Sequence, residues 1–89
     1  MPEESVLEPG RMISTEELQK EARQSLASAG ATQSDAAEAV GVSRPVVNKA
    51  LNIEDPSRYA RVLRGIVEEY TAFVVEEKPR FQVRRKAEE

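Results

Sequence analysis

Residues 33–52 read Gln33-Ser34-Asp35-Ala36-Ala37-Glu38-Ala39-Val40-Gly41-Val42-Ser43-Arg44-Pro45-Val46-Val47-Asn48-Lys49-Ala50-Leu51-Asn52, and this stretch decides the fold. Two short amphipathic helical patterns meet at Gly41, where a reversal with positive φ costs glycine nothing. Ala36 and Ala37 are small enough to let a second helix cross closely. Val42 fills the corner, and Ser43 is placed to cap the next helix through its hydroxyl. Val47, Ala50 and Leu51 recur at helical spacing and form the buried side of that helix. Arg44, Asn48, Lys49 and Asn52 are left on the opposite side, facing outward. A helix-turn-helix whose second helix shows Arg, Asn and Lys to solvent has the form of a DNA-reading helix.

The flanks extend the pattern. Ser14 and Glu17 have capping-box spacing, with Ile13 and Leu18 placed as a hydrophobic staple, so a helix is expected over 15–29. Leu18, Ala22, Leu26 and Ala29 form its apolar stripe, Glu16, Glu17, Lys20, Glu21 and Arg23 its outer face, and Gly30 ends it. Thr32 and Asp35 cap a second helix, 33–40. A third is expected over 44–51, with Pro45 tolerated in its first turn, where no N–H is needed. Asp55 and Pro56 open a fourth, 56–70, along which Tyr59, Val62, Leu63, Ile66 and Tyr70 recur at helical spacing. Gly65 lies inside it and weakens it by about 1 kcal/mol relative to alanine. Residues 71–85 turn β-prone and suggest an antiparallel hairpin, the alternative being a continuation of the fourth helix. Residues 1–12 read as a flexible acidic arm and 86–89 as a tail, with Arg84, Arg85 and Lys86 a solubilising cluster. The expected fold is therefore mainly α: a four-helix helix-turn-helix domain, 13–75, with a short C-terminal β-hairpin. A lone hairpin is marginal in water, so this one should pack on the helices or pair across a homodimer.

Composition narrows the chemistry. The 89 residues include no cysteine and no histidine, which excludes disulfides, Cys/His zinc sites and Ser-His-Asp or Cys-His catalysis. No glycine-rich phosphate loop or metal-ligand cluster is present, so no enzymatic reaction, cofactor, metal or small-molecule ligand is expected. No apolar run reaches the ~18 residues of a membrane span, and the N-terminus lacks signal-peptide character, so a cytoplasmic protein is expected. Net charge is −3, but it is unevenly spread. Residues 1–42 carry three basic against eight acidic residues, and residues 43–89 ten against eight. Such a chain would neutralise few phosphates and would depend on base contacts for affinity.

Among individual residues, Arg44 is the strongest candidate for a base contact, because a guanidinium can grip guanine O6 and N7 together. Asn48 suits adenine or the backbone, and Lys49 a base or a phosphate. Gln33, at a helix start, is placed to hold a phosphate with the free N–H groups. Arg58, Arg61 and Arg64 recur at steps of three, either as a phosphate-facing ridge or as a solvated face.

Through Gln33, Ala37, Gly41, Val42, Ser43, Val47 and Leu51, and the run Val47-Asn48-Lys49-Ala50, the chain resembles the helix-turn-helix of the lambda repressor and Cro family. The resemblance covers some twenty residues. It implies a small helical domain that binds double-stranded operator DNA as a two-fold dimer. By position it assigns base contacts to Arg44, Pro45, Asn48 and Lys49, and phosphate contacts to Gln33, Ser43 and Asn52. Pro45 departs from the polar residue usual there and removes one donor. The Gly41–Val47 segment is also similar to the DNA-binding segment of serine recombinases and transposases, for which no catalytic domain is present here. The functional expectation is a homodimeric transcriptional repressor of prokaryotic or phage type. The alternatives are a protein-interaction module, such as an antitoxin or assembly factor, and an accessory factor for recombination.

Overall fold

The computed structural model describes residues 9–77 and 81–85. The readings of residues 1–8 as an arm and 86–89 as a tail lie outside them. The elements run β1 (Met12–Ile13), α1 (Thr15–Ala29), α2 (Gln33–Val40), α3 (Arg44–Asn52), a 3-10 turn (Pro56–Tyr59), α4 (Ala60–Tyr70), β2 (Phe73–Glu77) and β3 (Phe81–Arg85). The fold is mainly helical, with a C-terminal hairpin, as the sequence implies.

Local signals account for the helix ends. Ser14 Oγ accepts from the Glu17 N–H at 3.1 Å, and the Glu17 carboxylate accepts from the Ser14 N–H at 2.8 Å, closing the capping box. Gly30 and Gly41 both adopt left-handed φ, +66° and +85°, and end α1 and α2. The fourth helix departs from expectation at its start. Asp55 accepts from the Ser57 N–H at 3.3 Å and the Ser57 hydroxyl at 2.8 Å, and the chain makes a 3-10 turn before α4 begins at Ala60. Gly65 has its reason in α2: a Cβ there would lie 3.1 and 3.3 Å from the two methyls of Val40. The missing methyl lets α4 lie against the end of α2.

One core joins the elements. Leu18, Ala22 and Leu26 of α1, Ala36 and Ala37 of α2, Val47, Ala50 and Leu51 of α3, and Leu63, Ile66 and Val67 of α4 are all buried in it. Each fully buried Leu, Ile or Val contributes about 1.5–3 kcal/mol of transfer free energy. The stripe on α1 differs from the one expected. Ala29 is exposed, whereas Gln19, Glu21 and Ser25 are buried. The cause is that α1 is covered by both α3 and α4, so it buries a wider arc than a four-residue stripe. The Ser25 hydroxyl is satisfied within α1, donating to the Glu21 carbonyl at 2.7 Å.

The hairpin belongs to a three-stranded antiparallel sheet of order β1-β3-β2. Ile13 stands opposite Phe81, and Val75 opposite Val83. Ile13, Val75 and Val83 point from the sheet into the core. This corrects the extent of the N-terminal arm, expected to reach residue 12. Gly10 donates to the Val83 carbonyl at 2.6 Å, Val83 donates to the Arg11 carbonyl at 2.8 Å, and Met12 pairs with Gln82. The hairpin, marginal as two strands, gains a third from its own N-terminal segment and an apolar face against the helices.

Candidate nucleic-acid interface

The turn between α2 and α3 is held by its backbone. Gly41 and Val42 both donate to the Ala37 carbonyl, at 2.8 and 3.0 Å. With Val47, Ala50 and Leu51 buried, the other side of α3 is fixed outward. Arg44, Pro45, Asn48, Lys49 and Asn52 are all exposed there.

Ser43 occupies the N-cap position of α3, but its side chain makes no capping bond. Its carbonyl instead accepts from Val46 at 3.1 Å and Val47 at 3.2 Å. Pro45 explains the difference from expectation. It removes the N–H two residues into the helix, and the tightened first turn commits the Val46 N–H to the Ser43 carbonyl. The Ser43 hydroxyl is therefore not used in ending the helix.

At the start of α2, Thr32 and Asp35 form a reciprocal cap: Asp35 donates to Thr32 Oγ1 at 3.0 Å, and Thr32 donates to Asp35 Oδ2 at 2.9 Å. The Thr32 backbone N–H, and then its hydroxyl, hold the Asp35 carboxyl below its ordinary value of 3.8. The cap orients Gln33, the first residue of α2, toward α3. Asn48 Nδ2 donates to Gln33 Oε1 at 3.1 Å, bridging the two helices on the solvent side. The bond uses the oxygen of Gln33 and one N–H of Asn48. By the chemistry of the two amides, Gln33 retains two donors and Asn48 a donor–acceptor pair. Asn52 donates to the Asn48 carbonyl at 2.8 Å, so its side chain lies along the end of α3.

Gln33, Arg44, Pro45, Asn48 and Lys49 together line one shallow, open depression. Five residues chosen from sequence thus share one surface. The arginine series divides after its first member. Arg58 is exposed on the 3-10 turn beyond α3. Arg61 and Arg64 line a separate concavity with Ala39, Val40 and Val74, at the far end of α2 from Gln33. Arg64 is half-buried and donates to the Val75 carbonyl at 3.4 Å, tying α4 to β2.

One positioning residue has no sequence signal. Gln19, buried on α1, donates through Nε2 to the carbonyls of Ala50 at 3.0 Å and Ile53 at 2.9 Å. It fastens the C-terminal end of α3 to α1 and sets how the exposed side of α3 is presented. A single glutamine in a charged helix does not announce such a partner thirty-one residues away.

Among the described residues, no group of acidic, histidine or cysteine side chains could hold a metal ion, and no helix is long and apolar enough to cross a membrane. Compared with known proteins, the chain matches no family model, no curated protein and no solved structure.

Proposed function

We propose that this chain is a sequence-specific DNA-binding regulator, a repressor that acts as a homodimer and reads the major groove of double-stranded DNA with α3. The observation that carries the reading is the Asn48–Gln33 bridge, set in one depression with Arg44, Pro45 and Lys49. It joins a candidate base reader to a candidate phosphate holder at a helix N-terminus, an arrangement suited to docking the start of α3 in a groove. In this reading Arg44 and Asn48 face base edges, with Lys49 and Pro45 beside them. Gln33, Ser43, Asn52 and Arg58 face phosphates. Arg61, which opens on another concavity, is the weakest member of the phosphate set. The resemblance to the lambda repressor and Cro family supports the same assignment. A dimer would present two α3 helices about 34 Å apart to a roughly palindromic site. A cytoplasmic location accords with this role.

The net charge of −3 favours the second reading, a protein-interaction module that keeps the helix-turn-helix shape. A salt titration of binding to random duplex separates the two. DNA contact predicts affinity that falls steeply with salt, log K changing by roughly 0.9 per phosphate contacted for each tenfold change in salt. No binding even at ~50 mM salt, where phosphate attraction is strong, would favour the interaction module.

A further inference from the structure

The β2 edge of the sheet is covered by side chains of α4 and of the turn that follows it. Both backbone groups of Val83 face β1, through the bonds to Gly10 and Arg11. Val75, directly opposite Val83, must therefore turn its own N–H and C=O away from β3, toward the open edge. There the Val75 N–H donates to Glu68 Oε2 at 3.4 Å, and the Val75 carbonyl accepts from Arg64 Nη1 at 3.4 Å. Two residues earlier, the Phe73 N–H donates to Thr71 Oγ1 at 3.1 Å. A carboxylate and a guanidinium one helical turn apart on α4 thus stand where a neighbouring strand would place a carbonyl and an amide.

We propose that Arg64 and Glu68 form a latch that closes the β2 edge to a second copy of this chain. The edge is suited to that occupant. In an antiparallel pairing about a two-fold at Val75, each Val75 meets its own equivalent and the two exchange both backbone bonds. Those two bonds need the very groups that Glu68 and Arg64 engage. The latch bonds, at 3.4 Å each, are longer than the ~2.9 Å of a strand ladder. Strand pairing of two copies is in this way held back in the resting fold, in keeping with the covering and charging of edges that guards sheets against unwanted pairing.

The test is sedimentation velocity over a concentration series without DNA, combined with amide hydrogen exchange at Val75. It therefore stands or falls separately from DNA binding. Arg64→Ala/Glu68→Ala is expected to self-associate at least about tenfold more tightly than the wild-type chain, with Val75 exchange slowed in the associated form. Glu68→Gln, which keeps an acceptor in place, is expected to behave as wild type. The proposal is overturned if the double variant associates no more tightly, if it does so with Val75 unprotected, or if Glu68→Gln associates as strongly as the double variant. Should the double variant lose its helical circular dichroism, Glu68→Ala alone is held to the same criteria.

Discussion

Replacing Gln19 by methionine keeps an unbranched side chain of similar volume and removes only the amide. The amide makes two bonds, to the Ala50 carbonyl at 3.0 Å and the Ile53 carbonyl at 2.9 Å, from a side chain that is 8% exposed. Each bond contributes about 0.5–1.5 kcal/mol net, and a carbonyl stranded away from water adds to the cost. The Ala50 bond is the buried one, which places the expected loss at about 2–3 kcal/mol. For a domain of this size that lowers the melting temperature by roughly 10–20 °C. Urea unfolding followed by far-UV circular dichroism should show a lower midpoint with an unchanged slope, since the surface exposed on unfolding is the same. A midpoint equivalent to less than about 0.5 kcal/mol of change would refute the argument that Gln19 fastens α3. Gln19→Glu adds a check on sign. An ionised carboxylate facing two carbonyls raises the folded-state pKa of the introduced group above its unfolded value of about 4.3. The variant should therefore recover stability as the pH falls toward that value and lose it as the pH rises through the raised one.

The Asn48–Gln33 bridge predicts coupling: in a double-mutant cycle on DNA affinity, Gln33→Ala and Asn48→Ala together should cost less than the sum of the two singly, by at least about 0.5 kcal/mol. Additive losses would mean that the two amides act separately. The lowered Asp35 pKa has a signed consequence at the acid limb. Its contribution to stability is present above the unfolded value, near 3.8, and lost as pH falls through the lower folded value. An NMR titration should place the Asp35 midpoint below 3.8, and Asp35→Asn should remove that part of the acid-induced loss of stability.

The parts of this molecule that are local in sequence were legible there. Two capping boxes, two left-handed glycines and the spacing of Val47, Ala50 and Leu51 fix α1, α2, the turn and the buried side of α3 without reference to distant residues. Once that side is fixed, the outward set Arg44, Asn48, Lys49 and Asn52 follows. What was not legible depends on contacts between remote segments. The arm expected up to residue 12 ends sooner, because Gly10, Arg11 and Met12 find backbone partners on β3, some seventy residues later. Glu21 carries an outer-face residue type into a buried position because α1 is enclosed on two sides. The Arg58, Arg61 and Arg64 series, regular in sequence, is divided by the 3-10 turn that carries Arg58, while Arg61 and Arg64 line one concavity away from Gln33. Ser43 lost its expected cap through an effect two residues away, the missing N–H of Pro45.

In the proposed function α3 reads DNA sequence, chiefly through Arg44. The most direct measurement is in-vitro selection from a random duplex library with the wild-type chain and with Arg44→Ala. The wild type is expected to enrich one site with two half-sites about one helical turn apart. Arg44→Ala is expected to bind that site about 1–3 kcal/mol more weakly and to relax its choice at one base pair of each half. No enriched site for the wild type would rule out sequence reading by α3, and the same site bound equally well by Arg44→Ala would rule out the role of Arg44.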